Sequence, residues 1–214
     1  TGATGAWNTE LQNTLSSSLT GASTTLAANN AAYDVGHLFG ATGGGGNAGC
    51  IGCVCVNDTS STTDENKGSG FTSPADGIPE GDNFDIDYVA HEMGHQFGAN
   101  HTFTFSGEGN LAGTLLASYQ YEVGSGSTIM GYAGITSYDV QAHSDDFFHA
   151  YSIYQVQSNM TGKTCPTVTS ITHGAPVVNA GSDYTIPKST PFMLTGSATD
   201  AGGGTLTYTW EQLD

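Results

Sequence analysis

The chain has 214 residues, of which 37% are hydrophobic, and its 20 acidic side chains are set against three lysines and no arginine. The formal net charge of −17 excludes binding to nucleic-acid backbones, because phosphates need basic side chains to neutralise them. No apolar run approaches the roughly 20 residues of a membrane-spanning helix. The first residues lack a signal-peptide pattern, so we expect a processed chain. Such acidity fits solubility in a salty or extracellular medium, and calcium binding by some carboxylates is the alternative.

The N-terminal third has short patterns of secondary structure between polar and glycine-rich stretches. Leucines four residues apart predict a helix over 8–20. β-Branched and aromatic residues predict short strands at 33–39 and 51–56. The four consecutive glycines at 43–46 predict a flexible connection between these strands, and the polar stretch 57–83 predicts a long surface loop.

The cysteine content predicts an exported protein with disulfide bonds. Cys50, Cys53 and Cys55 lie close together in the sequence, and Cys165 lies far from them. An even number of cysteines in a Gly/Ser/Thr-rich chain favours two disulfides, one of which ties the 50–55 segment to Cys165. The sequence leaves open which of the three takes that partner. A thiolate zinc site is the alternative, but such a site usually needs a second closely spaced pair of cysteines.

Residues 84–97 have the strongest helical pattern in the chain. Apolar residues at helical spacing form one stripe, which consists of Ile86, Val89, Ala90, Met93 and Phe97. At about 100° per residue, His91 and His95 project from the opposite side. One face of this helix is therefore expected to pack in a core while the other presents imidazoles.

The same helix carries the pattern H-E-x-x-H-x-x-G-x-x-H, from His91 to His101. Histidines four residues apart lie on one side of a helix, so His91 and His95 can bind the same ion. Gly98 can take a positive φ, which ends the helix and turns His101 back towards the metal. Three histidines leave one zinc position open, as in catalytic sites, and Glu92 can act as the general base without being a ligand.

With this motif the sequence resembles the metzincin metalloproteases. In that family the zinc lies above a tight turn built around a methionine, and residues 127–132 (STIMGY) resemble this turn, with Met130 beneath the zinc. The resemblance implies that Tyr132 is a catalytic residue that stabilises the oxyanion; packing is its alternative role. It also implies that the following residues line the pocket for the substrate side chain after the cut bond, namely Gly131, Ala133 and Gly134.

Within the metzincins, residues 1–163 most resemble a bacterial secreted, reprolysin-like group. This implies an α+β fold with a twisted sheet, the zinc-binding helix and a C-terminal helix, which the sequence predicts over 145–160. The strand at 51–56 resembles the family's edge strand, so Ile51 and Val54 are expected to bind substrate. The family's upper subdomain normally begins with a strand–helix–strand unit that this chain lacks. That part is either missing, supplied by another chain such as a separate N-terminal fragment, or reduced in this branch.

After Cys165 the pattern changes to alternating strand-like segments with turn residues between them. This region resembles the start of a polycystic-kidney-disease (PKD) module, which is an immunoglobulin-like β-sandwich. Its strands are too few for a complete sandwich. The sequence therefore predicts a protease domain over 1–163 and a partial PKD-like β module over 166–214.

The predicted function is that of a secreted zinc metalloendopeptidase, which hydrolyses peptide bonds in proteins with a zinc-bound water activated by Glu92. The expected partners are protein or peptide substrates and a propeptide; the expected cofactor is Zn²⁺, with Ca²⁺ as a further candidate. An adhesion protein that keeps a structural metal and a zinc hydrolase of non-peptide substrates are the alternatives. The other histidines lack ligand spacing and are predicted to be structural or surface residues: His37, His143, His149 and His173.

Overall fold

The computed structural model describes residues 14–15, 26–59, 64–104 and 119–213. Their contacts divide the chain into one unit of residues 1–166 with 211–214 and a second unit of residues 167–210. The helix predicted over 8–20 lies mostly outside the described residues, of which Thr14 and Leu15 are helical. The first complete helix, α1, is Leu26–Asn30.

The first unit contains a three-stranded sheet of β1 (His37–Phe39), β2 (Gly45–Asn47) and β3 (Gly70–Ser73). β3 lies in the middle, parallel to β1 and antiparallel to β2. Two predictions are wrong here, because the glycine run predicted as a flexible connection contributes β2 and the predicted loop 57–83 contains the fully buried β3. The predicted strand at 51–56 is also wrong, since these residues form turns.

A buried glutamine attaches the sheet to the helix that follows it in the chain. Gln96 is fully buried; its Nε2 donates to the carbonyl of Gly36, and its Oε1 lies 2.7 Å from His37 Nδ1. A Cβ on Gly70 would lie 2.5 Å from the Gln96 side chain, so the central strand needs glycine at this position. Packing of Gln96 against Gly70 therefore joins the central strand to the helix.

The predicted zinc-binding helix is present, with an unexpected first half. Residues Asn83–Ala90 have π-helical hydrogen bonding, and His91–Phe97 continue as an ordinary α-helix, α2. π-Helical turns are rare and occur frequently at functional sites. α2 ends at Gly98, whose φ of 119° lies in the left-handed region. A core cluster of Ala99, Ile129 and Met130 lies below this helix.

The loop at 50–55 covers the C-terminal end of α2. Gly52 N and Val54 N donate to the carbonyls of His95 and Gln96 at 2.8 and 3.0 Å, and Asn159 Nδ2 donates to the carbonyl of Phe97 at 2.8 Å. These donors satisfy carbonyl groups that a helix end otherwise leaves without partners. Two disulfides hold the loop, as predicted; they join Cys50 to Cys53 and Cys55 to Cys165.

The remaining regular elements are one helix and a small sheet. The helix α3 is Ala150–Thr161, so the predicted start at 145 is too early; the Nδ1 of His149 caps it by accepting from Tyr151 N. In the second unit, β4 (Val177–Asn179) pairs with β5 (Ser197–Thr199) in an antiparallel sheet. Among the described residues, no helix is both long and apolar enough to cross a bilayer.

Candidate metal centre

Three imidazoles converge at the end of α2. His101 Nε2 lies 3.2 Å from His91 Nε2 and 2.9 Å from His95 Nε2. His91 and His95 lie on consecutive turns of the helix, and the chain returns His101 to them after the left-handed Gly98. His91 and His95 are buried, and His101 is half-buried. Of the described residues, these three histidines form the only group of His, Cys, Asp or Glu that could hold a metal ion.

The tautomers of the two helix histidines leave a lone pair on each Nε2. His91 Nδ1 lies 2.7 Å from the carbonyl oxygen of Ile129, and His95 Nδ1 lies 2.7 Å from that of Ala99. A carbonyl can only accept, so each Nδ1 carries the proton and each Nε2 of these two rings carries a lone pair. Such backbone partners are typical of metal-binding histidines, because they fix both tautomer and ring orientation.

Burial keeps the helix imidazoles neutral. Burial lowers the pKa of His95 well below its ordinary value of 6.5, and the neighbouring rings of His91 and His101 lower it further. Burial also lowers the pKa of His91, against the opposing effect of its hydrogen bond to Ile129. Neutral imidazole is the form that binds metal ions.

The distances fit a tetrahedral zinc ion. Zinc–nitrogen bonds of about 2.0–2.1 Å at a tetrahedral centre place two ligand nitrogens about 3.3 Å apart. The observed separations of 3.2 and 2.9 Å are close to this value. The donor set therefore fits zinc, while no calcium site is supported in the part of the chain that the structure describes.

Glu92 is buried next to the three histidines and contacts the edge strand. Its side chain is 9% exposed, and a Cβ on Gly46 of β2 would lie 2.3 Å from its Cγ. Burial raises the pKa of Glu92 to about 8, and a hydrogen bond from the backbone N–H of Ala48 opposes this rise. A carboxylate with such an affinity for protons suits a general base.

Met130 lies beneath the helix and has no exposed surface. A Cβ on Gly94 would lie 2.5 Å from Met130 Sδ and 2.9 Å from Phe148 Cε1. Glycine at position 94 therefore lets the methionine approach the helix between His91 and His95. The carbonyl of Ile129, one residue earlier, is the acceptor that orients His91.

Tyr132 adjoins the histidines and lines two cavities. Its ring centroid lies 4.6 Å from that of His101 and 5.5 Å from that of His91. One cavity of about 330 Å³ joins Tyr132 and Glu92 to the segment 46–51, and it also contains His95 and His101. Another cavity, of about 200 Å³, lies on the other side of Tyr132 and contains the predicted residues Gly131, Ala133 and Gly134.

Residues 46–51 line the cavity at the metal centre, whereas the sequence indicates the segment 51–56. Ile51 lines the first cavity, whereas Val54 is 2% exposed and lines neither of the two described here. Sequence reasoning missed five lining residues, Gly46, Asn47, Ala48, Gly49 and Cys50. Glycine within a strand marks a close approach of other groups, and that signal was available in the run 43–46.

The second cavity also contains residues that helix spacing could have indicated. Asp87 and Tyr88 precede His91 by four and three residues, so they lie on the same side of the helix, and both line this cavity. Asp87 is held there by His143 Nδ1 at 2.9 Å and by Ser144 N at 2.8 Å. His143 therefore pairs with a carboxylate rather than joining the metal centre.

Comparison with known proteins agrees with this geometry. A family model described as "Metallo-peptidase family M12B Reprolysin-like" matches residues 2–159. No curated protein and no solved structure matches the chain. The matched range contains the three histidines, Glu92 and Met130, and it covers well over half of the sequence. The chain therefore belongs to the reprolysin-like metallopeptidases of family M12B.

Proposed function

We propose that this protein is a secreted, metzincin-type zinc endopeptidase that cleaves proteins. The observation that carries the proposal is the convergence of three imidazole nitrogens beside Glu92 in an open cavity. His91, His95 and His101 would hold the zinc. When bound there, zinc supplies a Lewis acid that polarises a carbonyl and lowers the pKa of water to about 7.

The side chains around the histidines have complementary roles in this proposal. Glu92 removes a proton from the attacking water and passes it to the leaving amine, so it acts first as base and then as acid. Its burial maintains the proton affinity that both steps require. Tyr132, which adjoins His101 in the same cavity, donates a hydrogen bond to the oxyanion of the tetrahedral intermediate.

The substrate is an extended peptide that pairs with β2. This strand is antiparallel to β3 at the edge of the described sheet, and its residues Gly46 and Asn47 line the cavity that contains Glu92. An edge strand offers backbone groups to an added strand, which favours peptides over other hydrolysable substrates. Ile51 extends this surface, and the cavity at Gly131, Ala133 and Gly134 receives the side chain after the cut bond.

The wider assignment follows the sequence resemblance. Residues 1–163 form the protease domain, of the bacterial secreted group, and residues 166–214 begin a PKD-like module. The two disulfides support an extracellular location, since such bonds persist in oxidising compartments. Met130 takes the place of the methionine in the family's turn beneath the metal. A propeptide or an N-terminal fragment completes the proposed set of partners.

The first experiment measures zinc content and casein cleavage with and without a chelator, for the wild type and Glu92→Gln. We expect one zinc per chain in both proteins, with chelator-sensitive cleavage in the wild type alone, because the amide that replaces the carboxylate cannot accept the proton. Glu80→Gln, at an exposed carboxylate, is the matched control and should retain activity. Full activity of Glu92→Gln would exclude this mechanism, and a wild type that binds no zinc would exclude the proposed function.

A further inference from the structure

Glu122 is a carboxylate outside the metal centre that receives four hydrogen bonds. Oε1 accepts from the backbone N–H groups of Ser127 and Thr128, both at 2.9 Å. Oε2 accepts from the hydroxyl of Thr128 at 2.6 Å and from that of Thr102. All the donors come from two segments that are distant from each other in the sequence. The carboxylate therefore joins these segments at one point.

Both segments lead directly to the metal centre. Thr102 follows the ligand His101, and Thr128 precedes Met130 by two residues. Backbone hydrogen bonds reinforce the connection, since Glu122 N donates to the Thr102 carbonyl at 2.9 Å and Thr102 N donates to the Met130 carbonyl at 3.2 Å. The His101 segment, the Glu122 segment and the methionine turn thus form one hydrogen-bonded unit.

His101 needs such support more than the other two ligands do. His91 and His95 belong to a helix, whose backbone hydrogen bonds fix their place in the chain. His101 lies beyond the end of that helix in a segment without regular secondary structure. The fixed neighbour on its C-terminal side is Thr102, which has no exposed surface. Movement of Thr102 therefore moves the third ligand.

We propose that Glu122 is a positioning residue that sets the place of His101, and of the turn containing Met130, through Thr102 and Thr128. This inference rests on the proposed function, since it concerns the ligands of the zinc site. Glu122 itself touches neither the reacting atoms nor a ligand side chain. If Glu122 only stabilised the fold, its substitution would lower the melting temperature and leave the zinc affinity unchanged. In the positioning role, its substitution weakens zinc binding by a protein that is still folded.

The test compares zinc affinity, measured with a competing chelator, for the full chain and three variants. Glu122→Leu removes both acceptor oxygens and with them all four hydrogen bonds. Thr128→Val removes one hydroxyl donor at nearly constant volume, and Glu122→Gln keeps one acceptor oxygen and lets the threonine hydroxyls rotate to accept. Loss of outer contacts to metal ligands typically costs about 10- to 100-fold in affinity, so we expect about 10-fold or more for Glu122→Leu. Glu122→Gln and Thr128→Val should be intermediate.

The control is Thr136→Val, which removes the same type of contact elsewhere, from the Thr136 hydroxyl to Asp139 Oδ1 at 2.7 Å. It should bind zinc like the wild type. Imidazole ring signals in the NMR spectrum of the metal-free protein provide a second readout, in which Thr128→Val should shift His101 more than His95. Wild-type zinc affinity and an unchanged His101 signal in Thr128→Val and Glu122→Gln would overturn the inference, even if Glu122→Leu fails to fold. If the wild type binds no zinc, the proposed function fails, and the His101 signal still decides the role of Glu122.

Discussion

Substituting alanine for Gly46 should displace Glu92, the proposed general base, and leave the protein folded. The new Cβ would lie 2.3 Å from Glu92 Cγ and 2.5 Å from its Oε1. Non-bonded carbon atoms are stable at about 3.5–4.0 Å, so the Glu92 side chain must move by roughly 1 Å. It can do so by changing its side-chain torsions. The collision therefore affects the position of the carboxylate more than the stability of the fold.

A movement of this size is large for a group that takes part in the reaction. Misplacement by about 1 Å can cost about 100-fold in rate, so kcat of Gly46→Ala should fall by about that factor. Zinc content should be unchanged, because the three atoms nearest to the new Cβ all belong to Glu92 and none to a histidine. The assay combines steady-state cleavage of a peptide substrate with zinc analysis and thermal unfolding of the same preparation.

The neighbouring glycine provides the control. Gly45 belongs to the same strand, and a Cβ there would meet nothing within 4 Å, although its φ of +92° makes alanine strained. Gly45→Ala therefore reports distortion of the strand without a collision with Glu92. Wild-type kcat in Gly46→Ala, or an equal loss of kcat in Gly45→Ala, would refute the argument that Gly46 makes room for the base.

Three further predictions concern other parts of the molecule. Tyr132→Phe should lower kcat by about 100-fold at unchanged zinc content if its hydroxyl donates to the oxyanion, and a wild-type kcat would assign Tyr132 to packing. Replacing both Cys55 and Cys165 by serine should lower the free energy of unfolding in urea by about 5 kcal/mol, because this disulfide closes a loop with a sequence separation of 110. Replacing both Cys50 and Cys53, whose separation is 3, should lower it by only about 2 kcal/mol. Burial alone would raise the pKa of Glu122, but its four hydrogen bonds outweigh this and hold the pKa below the ordinary 4.5. The ionised Glu122 carboxylate therefore stabilises the fold fully above about pH 4.5, and this stabilisation is lost as the pH falls below that value. The difference in unfolding free energy between wild type and Glu122→Gln should shrink over the same range. A difference that stays constant in acid would contradict this.

The metal centre could be predicted from the sequence because its information is local. His91 and His95 are four residues apart on one helix, and Gly98 ends that helix, so the grouping with His101 follows from spacing and backbone geometry. The disulfide link to Cys165 was predicted as well, but its partner Cys55 was not, because pairing depends on how distant segments fold.

β1 lies within the strand predicted at 33–39, but β2 and β3 could not be predicted, because tertiary contacts place them. β2 contains Gly45 and Gly46, and β3 begins with Gly70; glycine is disfavoured in isolated strands. Each of these strands is placed by a residue of α2 that lies against a glycine, with Glu92 against Gly46 and Gln96 against Gly70. A pattern of alternating apolar residues gives no information about such contacts.

The same contacts suggest that two separate parts of the molecule fix the base and the third ligand. Glu92 contacts Gly46 of β2 and accepts a hydrogen bond from the N–H of Ala48, the residue after that strand. Thr102, the neighbour of His101, is hydrogen-bonded to Glu122. Changes in β2 should therefore reduce turnover without releasing zinc, and changes at Glu122 should weaken zinc binding first. Because distant, independent sites usually contribute additively, the double variant Gly46→Ala/Glu122→Gln should show the product of the two single effects on kcat/KM. A marked departure from that product would mean that the strand and the Glu122 unit are coupled through the helix that both of them contact.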